Sequence, residues 1–193
     1  MQFVFSPMFE EACHQLGTSA RHIVPTGFIY DGALQAVRHS QRVRQSRQQF
    51  TTNGASFILC FFDENSGDWW DTYASHEGAA RDYEFLLTWL LEEPTLGIVF
   101  KPKHSPTLFH RLARIAGLIE QATRTGRCVF MTSETVVGTT FPAEAAMAAN
   151  LCVGKLSGVT AALEARLAGT PTVLIDTEGF YRHPFYTRCR QLI

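Results

Sequence analysis

Residues 154–176 read GKLSGVTAALEARLAGTPTVLID. The apolar run NLCVG (150–154) leads into this stretch and ends in a short Ser/Gly turn. VTAALEARLA (159–168) follows, rich in the strong helix formers Ala and Leu. Gly169 then marks a helix stop, and Pro171 bars its continuation. PTVLID (171–176) is apolar again. Strand, turn, helix and strand in one short stretch is the repeating unit of an α/β sheet.

The same punctuation runs back along the chain. Apolar runs lie at ASFILCFF (55–62), LGIVFK (96–101) and RCVFM (127–131). They are continuously apolar rather than alternating, as in strands of a parallel sheet covered on both faces. HIVPTG (22–27) enters the domain as a strand or as a linker. Between the runs, Ala79, Tyr83, Leu86, Leu87 and Leu90 recur at helical spacing over 77–92. Leu108, Leu112, Ile115, Ile119 and Ala122 do the same over 107–122. PAEAAMAA (142–149) opens with Pro at a first helical position. In 31–49, Arg38, Arg42, Arg44 and Arg47 stand among few apolar residues, as on a solvated helix. The alternation predicts a doubly wound parallel sheet of at least five strands with helices on both faces.

Composition narrows the function. The chain has 193 residues, 46% hydrophobic and 18% charged, enough for one globular core. Its formal charge of −1 provides no field to draw in nucleic acid or an anionic membrane. No apolar run is long enough to span a membrane, and the start MQFVFSPMFEEACHQ lacks the features of a signal peptide. Cys60, Cys128 and Cys152 lie inside apolar runs, and no CxxC pair exists, so we expect buried thiols without mutual disulfides. His104 and His110 share a helix face only loosely, and no zinc-ligand spacing appears. No metal and no cofactor is expected.

Ligands of open parallel sheets bind beyond the carboxyl ends of the strands, so the loops after the strands are the candidates. After the strand ending at Gly154, Ser157 is placed to cap the following helix, whose free N–H groups and dipole favour an anion. Gly158 permits close approach, Thr160 adds a hydroxyl, and Glu164 is a carboxylate for ribose hydroxyls. The plain alternative makes Ser157 an ordinary cap and Glu164 a surface charge near Arg166. KPKHSP (101–106) offers Lys101, Lys103 and His104 to a diphosphate, or forms a solvated basic turn. In DENSGDWWDTY (63–73), Asp63, Glu64 and Ser66 are candidates for the cleft floor; Trp69 and Trp70 stack on sugar or, more simply, cover the core. TSETVVGTT (132–140) is rich in donors for a base edge. No GxGxxG or P-loop motif is present.

The stretch PAEAAMAANLCVGKLSGVTAALEARLAGTPTVLID resembles the donor-binding C-terminal domain of GT-B glycosyltransferases, and more narrowly bacterial enzymes building capsular or other surface polysaccharides. KPKH after a strand is a second match, and HIVPTGFIYDG is similar to the crossover into that domain. The resemblance implies a Rossmann-like half of a GT-B fold, with residues 1–30 a remnant of a preceding domain and 31–193 the donor domain. It implies a nucleotide sugar held by Ser157, Gly158 and Thr160 at phosphate and Glu164 at ribose, with Lys101, Lys103 and His104 near the diphosphate. It further implies a glycan acceptor met through an N-terminal domain, a catalytic base outside this chain, and little transfer by the chain alone. A cytoplasmic protein is expected, peripheral to the inner membrane in its longer form. Two other readings stay open: half of a sugar-nucleotide epimerase of the same architecture, and a non-catalytic binding or assembly module.

Overall fold

The computed structural model describes residues 1–28, 31–67, 75–132 and 140–176. The chain divides into two units, Met1–Ala36 and Val37–Ile193. In the first, β1 (Gln2–Val4), α1 (Pro7–Gln15) and β2 (Ile23–Pro25) form a strand–helix–strand unit. The two strands pair in parallel, Phe3 opposite Val24. Ser6 caps α1 by accepting the Phe9 N–H, and Pro7 fills the first position, where no N–H is needed. HIVPTG therefore contains a strand. Its partner, the short QFV segment, carries too few residues to show a period.

α2 (Asp31–Arg38) spans the boundary between the units. The second unit continues with α3 (Gln41–Thr52), β3 (Phe57–Phe62), α4 (His76–Glu92), β4 (Leu96–Lys101), α5 (Leu108–Arg111) and α6 (Ala116–Arg124). It ends, among the described residues, with β5 (Cys128–Phe130), α7 (Pro142–Ala148), β6 (Leu151–Lys155), α8 (Val159–Leu167) and β7 (Thr172–Ile175). The five strands form one sheet in the order β5-β4-β3-β6-β7, every pair parallel. This is the doubly wound, Rossmann-like architecture expected from the apolar runs. The strand order reverses between β3 and β6, where two neighbouring strands send their chains to opposite sides.

The continuous apolar runs are explained by burial on both faces. Leu59, Phe61, Ile98 and Phe100 pack with Tyr83, Leu87 and Leu90 of α4 and with Leu108, Leu112 and Ala122. Ile58, Cys60, Phe62 and Val99 face the other way, onto Phe50 of α3, Ala145 and Ala146 of α7 and Ala165 of α8. Small residues on α7 and α8 let those helices lie close to the sheet. Gly97 serves the same end on β4, because a Cβ there would meet the Phe50 ring at 2.7 Å. Cys60, Cys128 and Cys152 are buried and free, as their apolar settings require. Arg38, Arg42, Arg44 and Arg47 are exposed, and Arg42 reaches Glu144 at 3.5 Å.

Two sequence expectations are corrected. Residues 107–122 are not one helix: α5 ends at Arg111, a 3-10 turn covers Ala113–Ile115, and α6 starts at Ala116. The apolar stripe persists across the break, which is why its spacing conceals it. Ser157 is not the cap of α8. It lies inside a 3-10 turn, Leu156–Gly158, and the cap residue is Gly158. No described helix is long and apolar enough to cross a membrane.

Candidate functional site

A cavity of about 240 Å³ opens at the carboxyl edge of the sheet, lined by residues that follow β3 and β4 and by the first turns of α8. The two-residue alternation of the strands selects the side chains. Val99 faces α7 and α8, so Lys101, two residues on, faces the same way. Phe62 likewise sets the direction of Glu64, while Asp63 takes the opposite side, towards Tyr83 and Arg111. The backbone stays extended just past β3, where the Asp63 N–H donates to Lys101 O at 3.3 Å.

Of the residues proposed from sequence, Asp63, Glu64, Lys101, Lys103, Gly158, Thr160 and Glu164 line this one cavity, joined by Pro102, Pro142 and Ala161. Ser157 belongs to the adjoining 3-10 turn by its backbone. His104 is not among the lining residues; its Nδ1 lies 3.0 Å from Thr107 Oγ1. Ser66 is not on the wall either, being buried beneath it. Trp69, Trp70 and residues 133–139 lie outside the described residues.

The wall carries two ammonium groups and three carboxylates. Lys101 is partly buried, and desolvation lowers its pKa, opposed by the negative charges of Glu164 and Glu144. Its Nζ donates to Pro102 O at 3.3 Å. Glu164 is only 5% exposed, so it is not the surface charge that its neighbour Arg166 suggested. Burial raises its pKa, against a hydrogen bond from the Ala143 backbone and the attraction of Lys101. Its Oε2, itself buried, has no hydrogen-bond partner. Lys103 Nζ donates to Glu64 Oε2 at 2.7 Å. The other Glu64 oxygen presses on Gly158, where a Cβ would collide with it. Gly158 thus needs to be glycine for close approach, with an ordinary negative φ of −96°.

Beneath the floor lies a polar network that sequence reasoning missed, centred on Arg111. Arg111 Nη1 donates to Ser66 Oγ at 2.6 Å, Nη2 donates to His104 O at 3.1 Å, and Nη2 lies 3.6 Å from Asp63 Oδ2. Ser66 Oγ also meets His76 Nδ1 at 2.9 Å. Burial pushes the Asp63 carboxyl up to about 7, opposed by Arg111 and by the Tyr83 phenol. Asp63 Oδ2 and the Tyr83 hydroxyl are both buried without a hydrogen-bond partner of ordinary geometry. An Arg in an amphipathic segment reads as surface; only the break after α5 marks it as inward. Among the described residues, no three of His, Cys, Asp and Glu converge to hold a metal ion.

The arrangement offers a hydroxyl- and phosphate-bearing ligand three things: half-buried and exposed ammonium groups, the start of a helix, and a carboxylate with an unused oxygen. No family model matches the chain. No curated protein matches it either. Among solved structures, it is similar to a crystal structure of HepE from Anabaena in complex with UDP and glucose, at 16% identity and a TM-score of 0.47. The likeness covers 89% of this chain and 43% of that one, so the chain spans less than half the length of that structure.

Proposed function

We propose that the cavity holds a nucleotide sugar by its diphosphate, and that the chain is the donor-binding part of a glycosyltransferase. One observation carries this reading: Lys101 and Lys103, at the end of β4, and the start of α8 with Glu164 come from two separate segments and line one cavity beside the point of strand-order reversal. The N–H groups of the first turn of α8 have no acceptors within their own helix and suit a phosphate. Lys101 and Lys103 supply the countercharge. Glu164, one turn further along α8 and lining the same cavity, is the carboxylate for the ribose hydroxyls. The glycan acceptor would meet the donor through a second domain, and a bacterial surface polysaccharide is the product this reading favours.

Titration of 15N-labelled protein with UDP, GDP, CDP and CMP tests the placement. The expected result is saturable shifts at the amides of Gly158, Val159, Thr160 and Ala161 and at Lys101, with one base preferred. Shifts confined to other surfaces, or none with any nucleotide, would reject it. Conversion of a sugar nucleotide to its epimer would favour the epimerase reading instead.

A further inference from the structure

With two lysines against three carboxylates on its wall, the cavity is not net positive. Lys101 donates to the Pro102 carbonyl, but Lys103 is ion-paired to Glu64, so an anion gains Lys103 only by taking it from a carboxylate. The three carboxylates differ in their freedom to yield. Asp63 is turned towards Arg111, with both side chains almost wholly buried. Glu164 is buried too, with the Ala143 backbone hydrogen-bonded to it. Glu64 is held by one ion pair to Lys103, whose side chain is 59% exposed, and by its contact with Gly158 at the cap of α8.

Resting on the reading above, we infer that Glu64 is an internal competitor for the ligand's phosphate. Its carboxylate stands at the start of α8 and on Lys103, the two features a phosphate would use, and it must leave both for a phosphate to be seated. Gly158 makes the arrangement possible, because any side chain there would push the carboxylate away. Glu164, more than nine-tenths buried and with one carboxylate oxygen unpartnered, lines the same cavity as the start of α8. Two consequences follow. Ligands without phosphate do not meet the competitor. The site also selects for anions strong enough to displace a carboxylate, so a diphosphate is favoured over a carboxylic acid of similar size.

The test is calorimetric titration of the full chain and of Glu64→Gln with UDP, inorganic pyrophosphate and uridine, with Lys101→Ala as reference. Glu64→Gln keeps the shape and removes the charge. Its affinity for UDP and pyrophosphate should rise by roughly three- to tenfold, the scale of one helix-end charge plus one exposed ion pair. Uridine affinity should not change. In a Lys103→Ala background the gain from Glu64→Gln should shrink, because half of the competitor's hold is gone. Weaker or equal UDP and pyrophosphate binding by Glu64→Gln overturns the inference. If UDP binding by the unaltered chain still depends on Lys101 in that case, the donor-site reading stands and only the role of Glu64 falls. If neither the unaltered chain nor Glu64→Gln binds either phosphate, both fall together.

Discussion

Asp63 Oδ2 and Arg111 Nη2 face each other at 3.6 Å, with side chains 4% and 3% exposed, directly under the floor of the cavity. A carboxyl raised by burial and a guanidinium drawn inward between two loops tie the chain after β3 to the segment after β4. The two loops that supply Glu64 and Lys103 are thereby held in register.

This pair sets a dependence of stability on pH. In the unfolded chain Asp63 titrates near its ordinary 3.8, whereas burial raises it to about 7 in the fold. The folded state therefore binds the proton more tightly across that interval, and stability falls as pH rises through it, levelling off above the folded value. The slope cannot exceed about 1.4 kcal/mol per pH unit for one group. Burial also raises Glu164, which adds a contribution of the same sign. Urea denaturation from pH 5 to pH 8 should show the decline in the unaltered protein and a flatter profile in Asp63→Asn. Parallel profiles would contradict the assignment.

Arg111→Ala should be among the most damaging single substitutions. It removes donors from Ser66 Oγ and His104 O and leaves a carboxyl buried without its cation. Breaking a buried pair on one side costs about 3–5 kcal/mol. Chemical denaturation should show a loss of this size, and Arg111→Lys should recover little, since a compact ammonium cannot span the two acceptors that separate guanidinium nitrogens reach. A loss typical of a surface residue, within about 0.5 kcal/mol, would contradict the network.

The thiols of Cys60, Cys128 and Cys152 should resist labelling in the native protein. All three are buried, and burial pushes Cys128 up to about 12 and raises Cys60 well above its ordinary value. Among the described cysteines, Cys13, only partly covered, should react first. Mass spectrometry after brief exposure to a thiol reagent, with and without denaturant, reads this directly. Fast native labelling of all three would show that the sheet is more open than described.

The sheet was legible because burial on two faces leaves a strand few polar positions, and LGIVF (96–100) and FILCFF show that pattern without interruption. Much of the cavity wall was legible for a related reason. Lys101, Lys103 and Glu164 follow apolar elements whose carboxyl ends must share one edge, so charge placed there converges. β1 was not legible, since three residues carry no period. Arg111 was hidden because its inward turn depends on Ser66 and Asp63, both distant in sequence, as well as on the nearby His104 carbonyl. The cap of α8 shifted from Ser157 to Gly158 because the chain inserts a 3-10 turn before the helix, a choice that a Ser/Gly pair does not specify. The pairing of Glu64 with Lys103 is a side-chain choice between distant loops and leaves no trace in the spacing of either.

The central claim is that Lys101, Glu164 and the start of α8 form a site for a nucleoside diphosphate. Calorimetric titration of UDP, GDP and CDP, each beside its bare nucleoside, against the unaltered chain, Lys101→Ala and Glu164→Ala tests it most directly. Glu164→Ala should weaken the preferred nucleotide by about 1.5–3 kcal/mol, the worth of a hydrogen bond to a charged group. Lys101→Ala should weaken the diphosphate far more than the nucleoside, and both variants should keep the fold, as read by circular dichroism. Unchanged affinity in both variants, with a nucleotide still bound by the chain, would contradict the account and place the site elsewhere.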